Sequence, residues 1–148
     1  MTILVINSGS SSLKFQVIDS ENEEVLAKGV CERIGIDGRF TYRTRTGISL
    51  KEAVPMKNHT QAVHTLLDTL ADPEKGVIKD FREIDVIGHR LVHGGEKFTG
   101  SVVITDEVTQ AMTECNDLAP LHNPANLVGV EACRKLMPDT LMVGVFDT

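Results

Sequence analysis

Residues 5–19 read VINSGSSSLKFQVID, a glycine and four serines set between two apolar runs, with a lysine one residue into the second run. The first run, ILVIN over residues 3–7, is continuous, while LKFQVID over 13–19 alternates apolar with polar residues. Together they specify a strand, a tight turn and a second strand. Gly9 offers the positive φ that a two-residue hairpin loop needs. EEVLAKGVCERI, RFTYRT and ISLKEAVP continue in short strand-like pieces, with Gly35, Gly38 and Gly47 marking the turns. The first third of the chain therefore reads as a β-meander.

The period changes at Asn58. Ala62, Val63, Leu66, Leu67 and Leu70 fall on one helical face, and Pro73 and Gly76 end the run. IDVIGH, residues 84–89, is a continuous apolar strand of the kind buried on both faces. VVIT gives a short extended piece, and DEVTQAMTECNDLA a helix beginning near Thr105. After PLHNP a further helix is expected from Pro124 to Leu136, with Asn123 as its N-cap. LMVGVFD, residues 141–147, is one more buried strand. This order predicts an α/β fold, a mixed sheet with helices laid against it.

The 148 residues are enough for one domain, or for the first domain of something longer. In open α/β sheets functional groups gather just beyond the carboxyl ends of the strands, and the chain stops immediately after a strand delivers Asp147. A fragment is the expectation. Met1 leads almost directly into a strand with no export leader, and no tract is long enough to cross a membrane, so the cytoplasm is the expected compartment. A net charge of −6 argues against a nucleic-acid surface. Cys31, Cys115 and Cys133, outside any CxxC pair, read as reduced, mostly buried thiols.

Four constellations carry chemistry. In NSGSSSLKF, amides around Gly9 and the hydroxyls of Ser10, Ser11 and Ser12 could form an anion nest, with Lys14 set against a terminal phosphate. A plain polar hairpin tip is the alternative, and the Walker pattern is absent. In GHRLVHGGEKF, residues 88–98, Arg90 lies at the end of a buried strand, where it needs a carboxylate or phosphate partner. His89 and His93 lack the helical HExxH arrangement of a zinc site and read as hydrogen-bonding histidines that hold the loop. In LAPLHNP, two prolines stiffen the loop around His122 and Asn123, either to stabilise a transferring group or simply to enter a helix. Asp147 could cap a helix, or orient a nucleophile or magnesium. Jointly these are the parts of a phosphoryl-transfer site.

With those residues in view, the sequence closely resembles the N-terminal domain of the acetate kinase family. NSGSSSLKF and GHRLVHGGEKF resemble that family's two signatures, and LAPLHNP and VFDT match two further segments in the right order, over essentially all of residues 1–148. The resemblance implies an actin-like ATPase, RNase H-like fold, the first of two domains facing each other across a cleft. It implies phosphoryl transfer from ATP to acetate with Mg2+ or Mn2+, and a homodimer. By position, Asn7 matches the residue assigned to magnesium and phosphate, Lys14 the one assigned to ATP, and Ser10 and Ser12 the phosphate-side hydroxyls. Arg90 matches the residue that binds the substrate carboxylate, and Val92 and Leu121 the pocket around its methyl group. His122 resembles a histidine that steadies the phosphoryl group, and Asp147 the catalytic acid/base. Acetate is already an anion at neutral pH, so Asp147 is better suited to positioning Arg90, magnesium or a donor than to removing a proton.

The family's second phosphate loop, adenosine pocket and dimerisation domain lie beyond Thr148, so residues 1–148 alone are expected to be inactive and to bind nucleotide poorly. The competing readings are a propionate or butyrate kinase of the same fold, since one methylene supports only weak discrimination, and a noncatalytic actin-like half-domain module.

Overall fold

The computed structural model describes residues 1–91, 100–105 and 123–146. The meander forms as expected: β1 (Thr2–Ser8), β2 (Leu13–Asp19), β3 (Glu24–Glu32), β4 (Arg39–Thr44) and β5 (Ser49–Ala53), each antiparallel to the next. Helix α1 (His59–Leu70) follows, then β6 (Val86–Leu91), β7 (Gly100–Val103), α2 (Asn123–Leu136) and β8 (Leu141–Phe146). The sheet order is β5-β4-β3-β2-β1-β6-β8-β7, with β1, β6 and β8 parallel and β7 antiparallel to β8. The helix expected from Thr105 and the segment around Cys115 lie outside the described residues.

Alternation decides which face is covered. Leu4, Ile6 and Ser8 of β1, Leu13, Phe15 and Val17 of β2, and Phe40, Tyr42 and Thr44 of β4 are buried, while Asn7, Lys14, Gln16 and Arg43 are exposed. The rings of Phe15, Phe40 and Tyr42 stack with centroids 6.0–6.4 Å apart. Gly29 sits opposite both Phe15 and Tyr42. A Cβ there would stand 2.3 Å from the Thr41 carbonyl oxygen and 2.6 Å from Phe15 Cζ, so a side chain at Gly29 would collide with the ring stack. The Tyr42 hydroxyl donates to the Lys75 carbonyl at 2.8 Å and ties the sheet to the turn after α1.

Helix α1 starts where Asn58 accepts a hydrogen bond from the Gln61 amide, and it buries Ala62, Val63, Leu66, Leu67 and Leu70. It packs on α2, which rests in turn on β1 and β6. Both described helices therefore lie on one side of the sheet. That arrangement corrects the reading of β6 and β8 as strands buried on both faces. In β6 Ile87, His89 and Leu91 are buried but Arg90 is exposed, and in β8 Leu141 and Val145 are exposed. Arg90 consequently stands on the open face, not at the end of a buried strand.

Candidate functional site

Asn7 and Lys14 are directly paired across β1 and β2. The parallel pairing of Ile6 with His89 brings Arg90 beside Asn7 on the next strand. Period-two alternation points all three to the open face. They line one shallow depression of about 330 Å³ together with Val5, Phe15 and Gln16. Among the described residues two cations and no carboxylate line it, a lining that suits an anion. The concavity of about 500 Å³ beside Asp72 and Glu83 contains none of the residues expected at the site, whereas one of about 470 Å³ adjoins the depression and shares Lys14 with it.

The depression lies at the carboxyl end of β1, where the serine loop begins. The loop has four residues, Gly9–Ser12, between the paired Ser8 and Leu13, so the two-residue turn expected from Gly9 does not form. Gly9 is not among the positive-φ glycines of the described residues, which are Gly35, Gly38 and Gly47. The Gly9 amide donates to the Ser12 carbonyl at 2.8 Å, which removes it from any anion nest. No described residue accepts from the amides of Ser10, Ser11 or Ser12. Ser10 and Ser11 are exposed, while Ser12 is half-buried with its hydroxyl beside Gly9.

Residues from distant parts of the chain hold this loop. The Ile34 amide donates to the Ser11 carbonyl at 3.0 Å. Buried His59, the first residue of α1, places Nε2 2.8 Å from the Gly9 carbonyl oxygen. A carbonyl only accepts, so Nε2 carries the proton. Buried Asn126, in the first turn of α2, donates through Nδ2 to the Ser8 carbonyl at 3.0 Å. Gly129, one turn on, lets α2 press against Ser8, since a Cβ there would fall 2.5 Å from Ser8 Cβ. Sequence reasoning missed His59, Asn126 and Gly129. Asn126 carried a signal, a polar residue within the buried stripe of Val130, Cys133 and Met137.

Beneath the loop, His89 is buried, and burial, followed by the charge of Arg134, pushes its pKa down to about 4. His89 Nε2 and Ser8 Oγ have no hydrogen-bond partner among the described residues. His89 is thus a neutral core histidine, not one of the loop-bonding pair expected from sequence. Burial raises the Cys31 and Cys133 thiols to about 12, which excludes both as nucleophiles at neutral pH and agrees with their structural reading. Val92, His93, Leu121, His122 and Asp147 lie outside the described residues.

Known proteins resemble this chain in sequence and fold. A model described as the acetokinase family matches residues 2–148. An acetate kinase of Agathobacter rectalis is 60% identical over 150 residues, covering all of this chain and 37% of that protein. The crystal structure of Porphyromonas gingivalis acetate kinase superposes with a TM-score of 0.95 at 47% identity, over 99% of this chain and 37% of that one. A propionate kinase from Francisella tularensis gives 0.89 at 33% identity, over 99% of this chain and 36% of its own. The chain thus spans little more than a third of the length of the relatives it matches.

Proposed function

The chain belongs to the acetokinase family, and from that premise we propose that the full-length protein is an acetate kinase, moving the terminal phosphoryl group of ATP reversibly onto acetate to give acetyl phosphate and ADP. Its fold is the actin-like fold of the acetate and sugar kinases, a mixed sheet with flanking helices. The observation that carries the reading is the depression that brings Asn7, Lys14 and Arg90 together beside the serine loop.

Acetate arrives as an anion, so the chain has to orient it and offset the charge it shares with the polyphosphate. Arg90 is assigned to the acetate carboxylate, through a charge-assisted bond of about 1.5–3 kcal/mol. Ser10, Ser12 and Lys14 are assigned to the phosphates, and Val92 and Leu121 to the methyl group. His122 is assigned to the transferring phosphoryl group, and Asp147 to positioning Arg90 or the metal.

Among the described residues no cluster of His, Cys, Asp or Glu could cage a metal. Asn7 and the serine hydroxyls are neutral oxygen donors, which fit magnesium held chiefly by nucleotide oxygens and water. Bound there, magnesium supplies neutralisation of charge along the phosphates. The proposal takes residues 1–148 as the N-terminal domain, with the rest of the nucleotide site and the homodimer contacts in the length this chain does not span. It also takes the cytoplasm as the compartment, where ATP is supplied.

The test is hydroxamate trapping of acetyl phosphate by the full-length protein with ATP, magnesium and acetate. Arg90→Ala should lower kcat/KM for acetate about 10- to 100-fold, the loss of one charge-assisted bond. No acetyl phosphate from the wild-type protein, or an unchanged kcat/KM in Arg90→Ala, would overturn the reading. The likeness to the Francisella tularensis propionate kinase favours a second reading, propionate as acceptor. The ratio of kcat/KM for the two acids decides between them.

A further inference from the structure

The open face of the sheet is strongly basic in a chain whose net charge is −6. The ladder places Lys14, Lys28, Arg39, Arg43, Lys51 and Arg90 on that face, all exposed. Within the paired ladders of β1–β6 the same face holds one carboxylate, Glu32, opposite Arg39. Glu24, at the margin, is ion-paired to Arg45.

Lys28 and Arg43 are direct cross-strand partners. Like charges directly opposed destabilise a sheet by up to about 1 kcal/mol. Neither residue makes an ion pair with any described residue that would offset this cost. They line a hollow of about 470 Å³ that also contains Lys14, Phe15 and Gln16, and those three residues line the site depression as well. The two hollows therefore form one track from Arg43 through Lys28 and Lys14 to Arg90. Three strand spacings separate β3 from β6, roughly 15 Å.

We propose that Lys28 and Arg43 steer the anionic nucleotide along this face into the site, raising its association rate without touching the reacting groups. This rests on the acetate kinase reading for the identity of the nucleotide. The occupant follows from the charge: a polyphosphate gains more from successive cations than a single carboxylate does, and focused fields of this kind raise association rates by roughly 10- to 1,000-fold.

The experiment is stopped-flow association of a fluorescent N-methylanthraniloyl-ATP with the full-length protein in magnesium, at about 0.01 M and about 1 M salt, where the screening lengths are about 30 Å and about 3 Å. The double variant Lys28→Gln/Arg43→Gln should associate about 3- to 10-fold more slowly than wild type at low salt. Its dissociation rate should be unchanged, and the two proteins should converge at high salt. Lys28→Arg/Arg43→Lys, which keeps both charges, should match wild type, as should Lys57→Gln/Lys79→Gln, which removes two charges elsewhere. An unchanged association rate, a deficit that persists at high salt, or a fall in kcat for acetate in the first variant would overturn the proposal. Acetate turnover by the wild-type protein is a separate readout. Its absence alongside salt-dependent association overturns the acetate reading and leaves the track standing.

Discussion

His59 Nε2 lies 2.8 Å from the carbonyl oxygen of Gly9, fifty positions away in sequence, and this contact joins the start of α1 to the serine loop. Replacing His59 with alanine should destabilise the protein by about 1–3 kcal/mol, the range for removing one partner of a buried polar pair. If the loop cradles phosphate, kcat/KM for ATP should fall about 10-fold as well. Thermal melts and steady-state kinetics of the full-length variant check both parts.

Asn126 provides a contrast in sign. Asn126→Ala deletes the donor to Ser8, while Asn126→Asp puts an acceptor-only carboxylate against a carbonyl in a buried site. The first turn of α2 rewards negative charge by about 0.3–1 kcal/mol, but desolvating a carboxylate costs several. Asn126→Asp should therefore be the less stable of the two at neutral pH in urea unfolding.

His89 makes stability depend on pH. Its folded pKa, about 4, lies below the ordinary value of 6.5 because burial and Arg134 oppose the charged ring. The unfolded chain thus binds a proton first as pH falls. The contribution is fully present above about pH 6.5 and is lost between there and pH 4, by roughly 3 kcal/mol in all. Unfolding midpoints at pH 7.5 and pH 5 should differ less in His89→Gln than in wild type.

Two strand glycines should answer differently to alanine. At Gly29 a Cβ meets the Thr41 carbonyl at 2.3 Å, whereas at Gly88 nothing lies within 4 Å. Gly29→Ala should cost about 1–3 kcal/mol, and Gly88→Ala little. Denaturant midpoints of the two variants provide the comparison.

Residues 1–148 expressed alone should form no acetyl hydroxamate from ATP and acetate, because on the proposed function the other half of the nucleotide site lies elsewhere. Detectable product from purified residues 1–148 would contradict this.

Where local pattern suffices, the sequence reading was sound. The alternation in LKFQVID gave β2 its bounds, and the spacing from Ala62 to Leu70 gave α1 its buried face. Continuous apolar runs misled, because IDVIGH looks the same whether one face or both are covered. At the candidate site, Asn7, Lys14 and Arg90 were singled out from motifs, and the structure lines them along one depression. The supports of the loop were not readable. His59 and Asn126 act across 50 and 118 positions, through carbonyls that carry no residue identity.

The grip on Ser8 and Gly9 has a mechanical consequence. Consecutive carbonyls are tethered to two helices that pack on each other, so the entry to the loop is anchored at two points. On the proposed function it would serve as an anvil: any closing stroke over a bound phosphate would be delivered by other parts of the molecule moving towards it.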